Sequence, residues 1–129
     1  MFSHIMVGAN DIEKSKTFYD NLLGVLGAQP GMMVPNLTGQ IRYFYFLDGM
    51  TFCISEPIDG EPASSGNGST IGFNIENEAQ GDKWHSTGLE FGGVSIEDAP
   101  GIREFEGMKM YLAYLRDPSG NKLCAIKQL

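Results

Sequence analysis

The sequence predicts an α+β fold in which two βαβββ modules pair to make a cup-shaped mixed sheet with the helices outside. Three observations carry that expectation. Residues 3–27 (SHIMVGANDIEKSKTFYDNLLGVLG) read as a strand and an amphipathic helix, and a weaker copy (STIGFNIENEAQGDKWHSTGLE) begins at Ser69 with a constant offset of 66. Ser3 falls on Ser69, His4 on Thr70, Ile5 on Ile71, Val7 on Phe73, Phe18 on Trp84 and Tyr19 on His85. Each copy is followed by apolar strands joined at a glycine turn, Asp48-Gly49 in the first and Asp117-Pro118-Ser119-Gly120 in the second. Between them, residues 57–68 (PIDGEPASSGNG) are polar and rich in Pro, Gly and Ser, as a connector should be. Module one is therefore placed at residues 1–59 and module two at 69–129, within one domain. One such unit leaves a sheet face open; two together can enclose a hollow, which gives the duplication a burial rationale.

Each element has its local reason. Residues 3–9 form a short apolar run in which His4, Met6 and Gly8 alternate against Ile5, Val7 and Ala9. Asn10 or Asp11 opens the first helix, with Asn10 and Glu13 spaced as a capping pair. Ile12, Phe18, Tyr19, Leu22, Leu23 and Leu26 recur at helical spacing, and Gly24 or Gly27 supplies the stop. Residues 28–40 are a loop with a short edge strand at 32–34. Residues 41–47 and 50–55 make a hairpin, because Asp-Gly suits the positive φ of a two-residue turn.

The second half repeats the plan with a strand at 69–76 and a helix at 78–89. Asn77 and Gln80 cap that helix, Gly81 and Gly88 weaken it, Trp84 and Leu89 anchor it, and Gly92-Gly93 ends it. A short strand at 94–97, a mobile flap between Gly101 and Gly107, and strands at 108–116 and 122–127 complete the chain.

Composition narrows the function classes. The formal net charge of -7 opposes binding to nucleic acid and to anionic membranes. The apolar runs fall far short of the roughly 20 residues of a membrane span. No basic region followed by a long apolar core opens the chain, and two cysteines make no disulfide framework. A soluble cytoplasmic protein with reduced thiols is expected.

The opening H-I-M-V-x-A-N-D-I-E-K-S-x-x-F-Y-D-x-L-L-G and the ending R-D-P-S-G-N-K-L resemble the vicinal oxygen chelate superfamily, which includes glyoxalase I, extradiol dioxygenases, fosfomycin-resistance enzymes and bleomycin-resistance proteins. The resemblance implies the glyoxalase/bleomycin-resistance/dioxygenase fold, a small-molecule ligand and a homodimer. Glyoxalase-like members hold one divalent metal on four strand positions. Those positions fall here on His4, Cys53, Thr70 and Cys124, so three of the four depart from the family's histidines and carboxylates. His4, Cys53 and Cys124 still make a chemically sensible metal set, with Thr70 at the fourth position, for zinc or, in this family, nickel, manganese or iron. The competing expectation is that both cysteines are small buried fillers.

Strand alternation adds candidates. His4 can act as a general base. Met6, Gly72 and Asn74 alternate onto the cup face with His4 and Thr70. One of the pairs Phe44/Phe46 and Tyr43/Tyr45 lines the cup and the other packs on a helix; Phe44 is the cup candidate. Met110, Leu112 and Tyr114 alternate with Tyr111, Ala113 and Leu115 in the same way. Arg42, Arg103 and Arg116 are the groups able to hold an anion. Three functions fit these residues: ligand sequestration of the bleomycin-resistance type, a metal-dependent lyase or isomerase of the glyoxalase type, and an assembly module.

Overall fold

The two copies of the sequence pattern build two separate sheets. The computed structural model describes residues 1–129. In the first half, strand β1 (Ile5–Gly8) leads to helix α1 (Ile12–Gly24), then β2 (Met32–Met33), β3 (Arg42–Leu47) and β4 (Met50–Ser55). In the second, β5 (Ile71–Asn74) leads to α2 (Glu78–Glu90), then β6 (Val94–Ser95), β7 (Gly101–Phe105), β8 (Met108–Arg116) and β9 (Lys122–Gln128). The first sheet has the order β1-β4-β3-β2; the second has β5-β9-β8, with β6 and β7 sharing the far edge of β8. The opening strand of each half lies parallel to its last strand. The result is an α+β fold of two mixed sheets and two helices.

Strand register carries the duplication into three dimensions. Ile5 stands opposite Phe52, and Ile71 stands opposite Leu123, which reproduces the offset of 66 on the first strand and gives 71 on the last. Asp48 and Gly49 turn the first hairpin with φ of 50° and 75°, as the dipeptide predicts.

Alternation along the strands sends one face to the helices. Tyr43, Tyr45, Phe52 and Ile54 of the first sheet share a single core with Tyr111, Ala113, Leu115, Leu123 and Ala125 of the second, closed by Phe18, Tyr19, Leu22 and Trp84 of the helices. This resolves the aromatic ambiguity: the tyrosines of β3 face the helices and Phe44 and Phe46 face away. The choice follows from their hydroxyls. Tyr43 donates to Glu13 at 2.6 Å and Tyr45 to Asp20 at 2.8 Å, both acceptors on α1. A phenylalanine there would leave those carboxylates without that donor.

Several local expectations are corrected. Asp11, not Asn10, caps α1, accepting from the Lys14 amide at 3.1 Å. Asn10 instead clasps the connector, donating to the Ala63 carbonyl at 3.2 Å and accepting from its amide at 2.7 Å. Residues 101–107 are no loose flap: β7 is hydrogen-bonded along β8 through a turn at Glu106 and Gly107, with φ of 48° and 81°. Leu89 does not anchor α2. It is 44% exposed, while Gly81 and Gly88 face the core. A Cβ on Gly81 would strike the Tyr111 ring, and one on Gly88 would strike Leu115. These glycines bring the helix close to its sheet, so what reads as helix weakness is packing.

Candidate functional site

Away from the helices, each sheet presents a face with no layer over it. On the first, Met6 and Phe44 flank Cys53 across three neighbouring strands; on the second, Gly72 and Tyr114 flank Cys124. The structure thus assembles Met6, Phe44 and Cys53 into one row, and Gly72 and Cys124 into its counterpart. Large apolar side chains around them remain uncovered. Met6 is 41% and Phe46 52% exposed, Met32 is exposed on the same sheet, and Phe105 and Met108 are exposed at the β7–β8 turn of the other.

Tyr114 is the site residue that alternation left undecided. The Arg103 guanidinium carbon and the Lys122 ammonium stand 5.7 Å and 5.0 Å from its ring centroid. Counting back across the last hairpin from Cys124 would have found it, since a tight turn fixes which residue lies opposite which.

The polar candidates are dispersed. His4 precedes β1, exposed, with Nδ1 2.8 Å from the Ser3 hydroxyl. Thr70 and Asn74 are exposed at either end of β5. Cys53 and Cys124 are buried free thiols on different sheets. Burial pushes both thiols up from their ordinary value, slightly offset at Cys53 by the Arg42 charge and at Cys124 by the Tyr114 hydrogen bond. No three His, Cys, Asp or Glu side chains gather closely enough to hold a metal ion. Within one chain the donors His4, Cys53 and Cys124 do not fit a metal centre.

The two sequence motifs serve the contact between the halves, because they dock on each other. The Asn10 amide donates to the Ser119 hydroxyl at 2.9 Å, and the Asn121 side chain donates to the Gly8 carbonyl at 3.0 Å. Tyr19, fully buried on α1, donates to Asp117 Oδ2 at 2.6 Å, while Asp117 Oδ1 accepts the amides of Ser119 and Asn121 at 2.9 Å. Arg116 braces the same turn by donating to the Gly120 carbonyl at 2.7 Å. The motifs therefore hold half to half, which explains why they report fold and say little about chemistry. His85 belongs to this structural class: its Nε2 lies 3.0 Å from the Ser95 hydroxyl, and burial lowers its pKa.

One cleft follows the seam between the halves and another lies within the first half and the connector. An apolar one of about 220 Å³ is lined by Leu23, Tyr45, Phe52, Ile71, Phe73 and neighbours, including Gly72 and Asn74. A wider one of about 460 Å³ runs beside Met6, Arg42 and Ser55. No helix is long and apolar enough to cross a membrane.

Comparison with known proteins agrees with this architecture. A model of the Glyoxalase/Bleomycin resistance protein/Dioxygenase superfamily matches residues 1–125. A crystal structure of a glyoxalase/bleomycin resistance protein from Albidiferax ferrireducens T118 is 53% identical, covers 98% of this chain and 97% of its own, and superposes with a TM-score of 0.86. A glyoxalase/bleomycin resistance protein/dioxygenase family enzyme from Burkholderia phytofirmans PsJN is 16% identical over 98% of each chain, with a TM-score of 0.72. The fosfomycin resistance protein FosX from Listeria monocytogenes is 18% identical, covers 100% of this chain and 94% of its own, and gives 0.75. The latter two share the fold. No curated protein matches the chain. The chain belongs to the Glyoxalase/Bleomycin resistance protein/Dioxygenase superfamily.

Proposed function

We propose that this superfamily member binds a small, largely apolar molecule on the open faces of its two sheets, and that two copies pair to close the site over it. The single observation that carries this reading is the uncovered apolar surface on those faces: Met6, Met32 and Phe46 on one sheet, Phe105 and Met108 on the other. Both helix-side faces are already spent on the shared core. Exposed large apolar side chains gathered on one side of a sheet mark a binding or association site. The rows through Cys53 and Cys124 form the floor, with Gly72 leaving room where Met6 fills it.

Sequestration, as in the bleomycin-resistance members, is favoured over metal-dependent lyase or isomerase chemistry, because the candidate donors are two buried thiols on separate sheets and an exposed imidazole that do not gather. His4 is the one candidate for proton transfer. Its Nδ1 is engaged by Ser3, which leaves Nε2 as the atom available for that role.

Fluorescence titration with the neutral probe N-phenyl-1-naphthylamine tests the reading. Saturable binding is expected, about tenfold weaker in Met6→Lys, because a charge replaces apolar contact area. Light scattering should give twice the 14.1 kDa chain mass. The reading falls if binding never saturates, or if Met6→Lys and Phe46→Lys both bind as the parent does.

A further inference from the structure

All three arginines of the chain alternate onto the open faces, yet they are not equivalent. Arg103 spends both terminal nitrogens on backbone carbonyls, those of Gly101, Leu112, Asp98 and Ala99, at 2.9 to 3.3 Å. Arg116 is tied to the 117–120 turn through the Gly120 carbonyl. Arg42 engages only its Nε, which donates to the Val34 carbonyl at 2.9 Å. Neither of its terminal nitrogens has a protein acceptor, and it takes part in neither of the two ion pairs, Lys16–Asp20 and Lys122–Glu97.

The position of Arg42 is fixed from two sides. The Nε bond sets the guanidinium plane, and its carbon stands 5.2 Å from the Phe44 ring centroid. It opens into the cleft of about 460 Å³ that also contains Met6 and Ser55. Two carboxylates line that cleft, but each is engaged by backbone. Glu56 accepts the Ile41 amide at 2.7 Å, and Asp59 accepts the Glu61 amide at 3.0 Å. A half-buried guanidinium with an unused fork suits a carboxylate, sulfonate or phosphonate, which it meets with two parallel hydrogen bonds.

We infer that Arg42 is the specificity-determining residue of the open face, and that the molecule bound there is an apolar, ring-bearing organic anion. Its oxyanion group meets the free edge of the Arg42 guanidinium, and its apolar body lies along Met6 and the Phe44–Phe46 pair. The inference rests on the binding role proposed above and adds the charge of the ligand. It assigns to Arg42 a discrimination that the chain's net charge of -7 would by itself oppose.

A matched pair of probes tests it: N-phenyl-1-naphthylamine and 8-anilino-1-naphthalenesulfonate share one ring skeleton and differ by the sulfonate. The parent protein should bind the sulfonate about tenfold more tightly than the neutral amine, as befits a hydrogen-bonded charge pair. Arg42→Met should erase that preference, so that the two probes bind it equally, with an unchanged circular dichroism spectrum and melting temperature showing that the variant is folded. Arg42→Lys, which keeps the charge and loses the fork, should retain part of the preference. Equal affinities in the parent, or a sulfonate preference that survives Arg42→Met, would overturn the inference while leaving the binding role intact. Failure of both probes to bind the parent would remove the binding role, and the inference with it.

Discussion

The two helices occupy equivalent places in the two halves, yet they contribute opposite things. Helix α1 brings bulk: Phe18, Tyr19, Leu22 and Leu23 are all buried. Helix α2 brings absence, with Gly81 and Gly88 among its buried positions and Trp84 as its one large anchor. The offset of 66 places Leu22 and Gly88 at equivalent positions, and these two also touch: a Cβ on Gly88 would lie 3.3 Å from the Leu22 side chain. Two leucines could not share that space. The halves diverged where they press on each other, one as knob and one as hole, while each open face retained a cysteine between strand neighbours. Asymmetry in this chain therefore marks the contact between halves, and the repeated rows mark the surface left for something else.

The strongest way to break that comparison is to make the helices alike. Gly88→Leu should cost about 3 kcal/mol by overpacking against Leu115 and Leu22. Leu22→Ala in the same chain should return part of it, as a double-mutant cycle in urea would show. Tyr19→Phe comes next, at about 2 kcal/mol, because it strips the buried hydrogen bond to Asp117 that ties α1 to the 117–120 turn.

Alkaline pH should loosen both halves together. The hydrogen bond to Glu13 pushes Tyr43 up to about 12, while burial first and a carboxylate partner second raise Tyr19, Tyr45 and Tyr111. A phenol held above its ordinary value of 10.0 adds stability fully present below that pH and lost as pH rises through the folded value. The buried thiols, ordinarily at 9.0, act in the same direction. The denaturation free energy should decline above about pH 9, and tyrosinate absorbance should rise together with unfolding.

The smallest effects sharpen the comparison. Ser15, the counterpart of Gly81, is buried with a hydroxyl that has no partner, so Ser15→Ala should stabilise the chain by about 0.5 kcal/mol. Leu89→Gln should stay within about 0.5 kcal/mol of the parent, because Leu89 is an exposed position of α2 outside the shared core.

Much of the fold could be read from the residues because duplication, alternation and turn chemistry all pointed the same way. The 66-residue offset is reproduced in strand register, and Asp48-Gly49 turns where its conformational preference requires. What escaped depended on contacts between distant parts. Asn10 looks like a cap because its spacing to Glu13 is right, but its side chain is claimed by Ala63, 53 residues away. Leu89 looks like an anchor because it is apolar, while the buried side of α2 is in fact marked by its glycines. The β7 strand was hidden because Glu106 adopts a positive φ that its residue type does not advertise. At the candidate site, alternation put Met6 and Gly72 on the face where the register places them, and the family resemblance pointed to Cys53. It could not separate Phe44 from Tyr43, because that choice rests on carboxylates of α1 that meet the tyrosines only once the helix has docked.

Methyl NMR on the seven methionines tests most directly where a ligand sits. Met6, Met32, Met108 and Met110 lie on the open faces, whereas Met33 lies on the helix side and Met50 lines the apolar seam cleft. Titration with N-phenyl-1-naphthylamine should shift the open-face methyls and leave Met33 and Met50 in place. Shifts confined to Met50 would put the molecule in the seam and contradict the account.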